Sequence, residues 1–229
     1  MKQAIESIKT IKQSITDMFN LVESQAIKAE TALLNCDRDL ANEIIYLERK
    51  VDAFELIIDR ECEKFLALQT PVAVDMRLII SMLKINGNLE RIGDFAAGIA
   101  QFTLHDQNKG IDPTIAEKLQ IRKMFDEAIN MLRLCKSALF EENSSMAAKV
   151  FAKDDLLDDI NREAVPVLAD LINNHSANAE QMLYLYSVIR KLERMGDHCN
   201  NIAEEIIFYI DAKVMKHRNM EQLKDEVEE

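Results

Sequence analysis

An all-α fold, built as two tandem pseudo-symmetric three-helix bundles with six long antiparallel helices, is what this 229-residue sequence predicts. Three observations predict it. Glycine and proline are scarce, five and three residues, tryptophan is absent and 48% of the chain is hydrophobic, a balance that suits helices better than turn-rich sheets. Apolar residues recur at steps of three and four along nearly the whole chain. Leu89-Glu90-Arg91-Ile92-Gly93-Asp94 with Ile99-Ala100 returns 103 residues later as Leu192-Glu193-Arg194-Met195-Gly196-Asp197 with Ile202-Ala203, which marks an internal repeat.

Ile5, Ile8, Ile15, Phe19, Val22, Ala26, Ala29 and Leu33 define one amphipathic helix over residues 3–35, and Asp37-Arg38-Asp39 ends it and opens the next. The second helix carries Ile44, Leu47, Val51, Phe54, Ile58, Phe65 and Leu68 on its apolar face and stops at Thr70-Pro71. Beside that face runs a carboxylate ridge, Glu48, Asp52, Glu55 and Asp59. In the third helix, residues 73–103, Leu78, Met82, Ile85, Leu89, Ile92, Ala96 and Ile99 follow the alternating steps of a bundle seam, with Glu90 and Asp94 flanking it.

Asn108-Lys109-Gly110 and Asp112-Pro113 read as the connection between halves, so the expected domains are 1–110 and 111–216, followed by an acidic, frayed tail over 217–229. Ile115, Leu119, Met124, Ala128, Leu132, Cys135 and Leu139 give the fourth helix, ending near Glu141-Glu142-Asn143. The fifth starts at Ser144 or Ser145 and carries Asp155 and Asp159, the expected counterparts of Glu48 and Asp52. Pro166 removes a backbone hydrogen bond there at a cost of about 3 kcal/mol, which predicts a kink, or a break near Glu163. After a turn at Asn173-Asn174-His175-Ser176 the sixth helix, residues 178–212, turns Leu185, Val188, Leu192, Met195, Cys199, Ile202 and Ile206 inward. Helices of this length reach roughly 45 Å, and their short links make neighbours antiparallel.

Carboxylates four residues apart share one helix face with Cβ atoms about 5–6 Å apart. At an effective dielectric of about 20 their repulsion is roughly 3 kcal/mol, so such a pair needs solvent, a guanidinium or ammonium group, or a bound cation. Two readings of the acidic stripes stay open: solvated faces of a metal-free scaffold, in which Arg91 and Arg194 pair with acids on neighbouring helices, or cation sites. At 100° per residue Asp197, Asn201 and Glu204 fall about 40°, 80° and 20° from Glu193, so one arc can present three carboxylates and an amide oxygen. His198 reads as a surface or half-buried histidine rather than a ligand.

Other classes are excluded or disfavoured. A carboxylate-bridged di-metal enzyme needs Glu three residues before a histidine, and none of His105, His175, His198 or His217 has one. No glycine-rich phosphate loop and no Gly-x-Ser-x-Gly appear, so no enzymatic activity is expected. A net charge of −12 argues against nucleic acid as partner. Without a signal-like start or an apolar run of ~18 residues, the chain is expected to be cytoplasmic. Cys36, Cys62, Cys135 and Cys199 lack a C-x-x-C spacing and are expected to be reduced and mostly buried.

Two such halves resemble the PhoU family of phosphate-uptake regulators. The resemblance rests on Leu68-Gln69-Thr70-Pro71-Val72-Ala73-Val74-Asp75-Met76-Arg77, on Leu89-Glu90-Arg91-Ile92-Gly93-Asp94, and on Leu192-Glu193-Arg194-Met195-Gly196-Asp197-His198 running into Asn201-Ile202-Ala203-Glu204. It covers nearly the whole chain. It implies a cytoplasmic negative regulator of phosphate uptake and of the phosphate-starvation response, which couples the ATPase subunit of the phosphate ABC transporter to a two-component sensor kinase. A homodimer is expected, meeting the membrane only through its partners. The resemblance also implies multinuclear iron or zinc clusters on the bundle surface, held through Glu48, Asp52, Glu90, Asp94, Asp155, Asp159, Glu193, Asp197, Asn201 and Glu204. Gly98 and Gln101 stand in the first half where Asn201 and Glu204 stand in the second, so the second half is expected to bind metal more tightly.

Overall fold

The computed structural model describes residues 2–105, 110–174 and 178–215, and among them the regular structure is entirely helical. Helices α1 (Lys2–Asn35), α2 (Arg38–Leu68) and α3 (Ala73–Leu104) form the first half. Helices α4 (Pro113–Lys118), α5 (Ile121–Phe140), α6 (Ser144–Ala148), α7 (Phe151–Asn173) and α8 (Ala179–Asp211) form the second. The expected tail over 217–229 with His217, the connecting residues 106–109, and His175 and Ser176 lie outside the described residues.

Helix ends follow local chemistry. The Asp37 carboxylate accepts from Leu40 N at 2.9 Å and starts α2, and Pro71 prevents α2 from running on. Asp112 caps α4 with Pro113 in its first turn, and Asn178 accepts from Glu180 N and Gln181 N to start α8. The expected fourth and fifth helices each divide. The fourth breaks at Leu119-Gln120, where Gln120 takes a left-handed φ of 51°. That turn lets Leu119 and Ile121, which a continuous helix would place about 200° apart, both face the core.

The fifth divides at Lys149-Val150, and no break occurs near Glu163. Helix α7 runs through Pro166, whose ring lies on the exposed side, while Ile160, Ala164, Leu168 and Leu171 stay buried on both flanks. Their burial offsets the one missing hydrogen bond.

Both halves contribute to one continuous core, running from Ile11 and Phe19 of α1 through Leu89 and Ile92 of α3 to Leu192 and Ile206 of α8. Within each half the three long helices pack on one another, and α3 packs on α8 as extensively as it packs on α2. Along that seam Ser81 Oγ donates to the Glu205 carbonyl at 3.0 Å, and Phe102 stacks on Tyr184 with ring centres 5.2 Å apart. Asn201 Nδ2 donates to Asn88 Oδ1 at 3.3 Å, and Lys191 crosses Gly98 so closely that a Cβ there would sit 2.7 Å from its Cε. Helices α1 and α5 are joined by Glu23, which accepts from Arg133 and Lys136, both at 2.6 Å. Cys62, Cys135 and Cys199 are buried thiols, Cys36 is partly exposed, and all four are free of disulfides. No helix among the described residues is long and apolar enough to cross a membrane.

Candidate functional site

Two carboxylate faces stand out, one between α2 and α3 and one between α7 and α8. On the first, the α2 ridge turns toward α3: buried Asn86 of α3 donates Nδ2 to the Glu55 carbonyl at 3.0 Å and to Asp59 Oδ1 at 2.9 Å. Two turns further, Gly93 brings α3 close enough for Glu48 Oε2 to lie 3.4 Å from where a Cβ would stand, with Gln25 Oε1 at 3.1 Å. Gln25 Nε2 donates to Glu48 Oε2 at 3.0 Å, and the Glu48 carboxyl meets that of Asp94 across the helix pair.

Burial pushes Glu48 up to about 7; the Gln25 amide opposes this, and the charges of Asp94 and Asp52 add to it. Glu90 also rises to about 7, from burial first and Asp94 second, although Arg91 lies 3.3 Å from it. Glu55 is raised by burial and then by Asp59 and Asp52.

The second face has the same plan with tighter steric limits. Asp154, only 4% exposed, lies beneath Gly196, where a Cβ would come 2.7 Å from Asp154 Oδ1 and 2.5 Å from Leu157 Cδ1. Any larger residue there displaces the side chains of Leu157 and Asp154. Asn200 Nδ2 donates to Asp154 Oδ2 at 2.6 Å. Burial, then Asp158 and Asp197, push Asp154 up to about 7 against the pull of Asn200. Glu193 is raised by burial and Asp197, while accepting from Arg190 at 3.2 Å and, at 3.5 Å, from Asn161. Asp197, at the exposed rim, is raised by partial desolvation and then by Asp158.

The residues expected to act together are distributed unevenly over these faces. Glu48, Asp52, Glu90 and Asp94 are brought together on the first face, and Glu193 and Asp197 lie on the second. Asp155 and Asp159 do not join them: both are exposed, and Asp159 pairs with Arg162 of its own helix at 2.9 Å. Asp154 and Asp158 occupy the places opposite Glu193 and Asp197, because residue 154 lies in line with buried Phe151 and Leu157 while residue 155 is rotated about 100° outward. Asn201, the least aligned of the proposed arc, faces Asn88 of α3; Asn200, about 20° from Glu193, is the amide on this face. Glu204 is half-buried further along α8. Arg91 pairs with Glu90 and Asp94 of its own helix rather than a neighbour's, and Arg190 rather than Arg194 meets Glu193. His198 is half-buried, its Nδ1 2.8 Å from Asn88 Oδ1.

Among the described residues no three His, Cys, Asp or Glu side chains stand close enough together to form a ligand set, although the acids of each face act on one another through their charges. Several buried oxygens nonetheless lack a hydrogen-bond partner: Glu48 Oε1 and Gln25 Oε1 on the first face, Asp154 Oδ1 and Glu193 Oε2 on the second. An all-oxygen set of paired carboxylates with unmet acceptors fits a hard, partly hydrated cation, which takes one or two carboxylates and keeps its waters.

The profile described as the PhoU domain matches this chain twice, over residues 15–103 and 121–206. The chain is 30% identical, over 96% of its length and 86% of the other's, to a protein of Pseudomonas putida named phosphate-specific transport system accessory protein PhoU homolog. It is 28% identical over 94% of its length to the phosphate-specific transport system accessory protein PhoU of Escherichia coli K12, covering 88% of that protein. Among solved structures, PhoU from Pseudomonas aeruginosa superposes with a TM-score of 0.86 at 28% identity, covering 91% of this chain and 99% of that one. The phosphate transport system regulatory protein PhoU from Streptococcus pneumoniae superposes at 0.84 with 25% identity, covering 93% and 99%. These relatives are named accessory or regulatory proteins, not enzymes.

Proposed function

We propose, since the chain belongs to the PhoU family, that it is an accessory protein of a phosphate-specific transport system that restrains phosphate uptake and the starvation response when phosphate is ample. It acts by association, as a cytoplasmic homodimer that engages the transporter's ATPase subunit and a sensor kinase. The observation that carries this reading is the double match to the PhoU domain, with one carboxylate face falling in each matched half. Deleting the protein is expected to leave an alkaline-phosphatase reporter on in high phosphate; a reporter that stays off would sink the regulatory role. Crosslinking in phosphate-replete cells is expected to recover the ATPase subunit or the kinase.

The reading extends to metal. Glu48, Asp52, Glu90 and Asp94 on one face, and Asp154, Asp158, Glu193 and Asp197 on the other, would hold cations, iron or zinc clusters included, whose charge offsets the carboxylate repulsion. Support comes from the unpartnered buried oxygens. Elemental analysis of protein purified without chelator is expected to find at least one metal per chain. The contrary reading, a metal-free scaffold, is favoured by Arg91 and Arg190 on their own helices' acids and by protons that Glu48, Glu90 and Asp154 retain near neutrality.

A further inference from the structure

On each face the second-helix acid nearest the glycine, half-buried Glu48 or buried Asp154, is held by one amide, and the two amides come from unrelated positions. Gln25, fully buried on α1, donates to Glu48 at 3.0 Å, whereas Asn200 of α8 donates to Asp154 at 2.6 Å. The side chain that approaches Gly196 from α5, as Gln25 approaches Gly93 from α1, is Met131. The residue 103 places before Asn200 is Ala97. Each half therefore lacks the amide the other uses and supplies its own from a different helix.

In both cases the amide occupies one carboxyl oxygen and leaves the other, Glu48 Oε1 or Asp154 Oδ1, inside the protein without a hydrogen-bond partner. Asp154 is 4% exposed and Gln25, whose Oε1 is also unpartnered, is 0% exposed. These are not solvated surface groups. An acid among like charges lowers its energy by rotating away from them, and a hydrogen bond to one oxygen holds it in place. Packing alone does not require either amide, since Met131 and Ala97 fill the matching places in the other half without any polar atom, although Gln25 also reaches the Ile44 carbonyl at 3.5 Å.

We infer that Gln25 and Asn200 are positioning residues, each fixing the second-helix acid of its half so that one carboxyl oxygen stays presented to the Glu-x-x-x-Asp pair of the third helix and a hard divalent cation finds its carboxylates preset. The inference rests on the metal reading above and adds to it the residues that tune affinity. Groups that orient metal ligands are typically worth 10–100-fold in affinity.

The test uses the full chain and Mn²⁺ alone, with free Mn²⁺ measured by electron paramagnetic resonance against a competing chelator. The second face is measured with Glu90→Gln and Asp94→Asn in place, and the first with Glu193→Gln and Asp197→Asn. Asn200→Ala is expected to weaken the second face about tenfold or more and to leave the first unchanged; Gln25→Met is expected to do the reverse. Each variant installs what the other half already carries, and either suffices if the other fails to fold. The crossed pattern is what a merely structural role would not produce. Equal Mn²⁺ affinity in parent and variants overturns the positioning role and leaves the metal reading standing. A parent chain that retains no Mn²⁺ on either face overturns both.

Discussion

The α2/α3 face gathers six carboxylates, Glu48, Asp52, Glu55, Asp59, Glu90 and Asp94, whereas the α7/α8 face sets four, Asp154, Asp158, Glu193 and Asp197, among the amides of Asn161 and Asn200. The nearest side-chain atoms would stand 3.1–3.4 Å from a Cβ at Gly93 but 2.5 and 2.7 Å from one at Gly196. What the two faces hold in common is a glycine that lets the third helix close over an acid of the second, with a Glu-x-x-x-Asp pair on either side of that glycine. The repeat has kept that approach and varied the side chains around it. The face richer in charge is limited more by repulsion, and the face poorer in charge, with the closer approach at its glycine, more by sterics.

The largest expected contrast follows from that difference. In Gly196→Ala the new methyl meets the side-chain ends of buried Leu157 and Asp154 at 2.5 and 2.7 Å, so both must repack inside the core, which places the loss near 3 kcal/mol, or a melting temperature about 6–12 °C lower. In Gly93→Ala the nearest atoms are the ends of Gln25, Val51 and Glu48 at 3.1–3.4 Å, and the gain in helix propensity of about 1 kcal/mol offsets most of the strain. Thermal melts in chelator check this. Equal losses at both glycines would mean that the two faces are packed alike.

Proton linkage gives a smaller effect. Glu48, Glu90 and Asp154 titrate near 7 in the fold, above the ~4 of an unfolded carboxylate. Between those values the folded state binds more protons than the unfolded one, so their contribution is complete below about pH 4 and is lost as pH rises through 7. Glu23 and Glu142, held below the ordinary range by their lysine and arginine or tyrosine partners, act in the opposite direction and lose their contribution only as pH falls below about 4. The chelated protein is therefore expected to melt higher at pH 5 than at pH 8. Asp154→Asn should recover about 3 °C at pH 8 and nothing at pH 5, while Asp155→Asn, on the exposed side, should move the melt by no more than about 1 °C at either pH. A uniform shift at both pH values would show that Asp154 is not the titrating acid.

The smallest effect is expected at the rim. Arg91 is well exposed, and its contacts with Glu90 and Asp94 are surface ion pairs, so Arg91→Gln should cost no more than about 0.5 kcal/mol and become neutral in high salt. Loss of the first face's fold on that substitution would move Arg91 from the rim to the centre of its stability.

Most of the architecture was readable from period and repeat. Six long apolar stripes mark the helices, and Asp37-Arg38-Asp39 and Pro71 mark ends that the structure keeps. The division at Gln120 was not readable, because a left-handed glutamine has no composition signal and only the joint burial of Leu119 and Ile121 explains it. At the candidate site the third-helix acids are plain in duplicate, whereas Asp154, Gln25 and Asn86 carry no repeat signal. Each stands at a step of three or four from core residues, as Asp154 does between Phe151 and Leu157 and Gln25 between Val22 and Ala29. A polar residue in phase with an apolar stripe was the available signal. Treating acidic stripes as lying beside the core, rather than partly inside it, selected the neighbouring positions.

The seam between α3 and α8 has one more consequence, which lies in symmetry. Ser81 lies against Glu205 and Phe102 against Tyr184; at the repeat's offset of 103, positions 81 and 102 map onto 184 and 205. Asn88 likewise meets Asn201 while Gly98 meets Lys191, and positions 88 and 98 map onto 191 and 201. Reciprocal pairs of this kind are the signature of an isologous contact, the same patch used by both members about a two-fold axis. Here the two members are covalently joined, and the axis passes close to Ile92 and Met195, inside the duplicated motif itself. The third-helix surface that would make two separate repeats pair is thus already occupied within one chain, so a second copy of this protein has to be met through some other face.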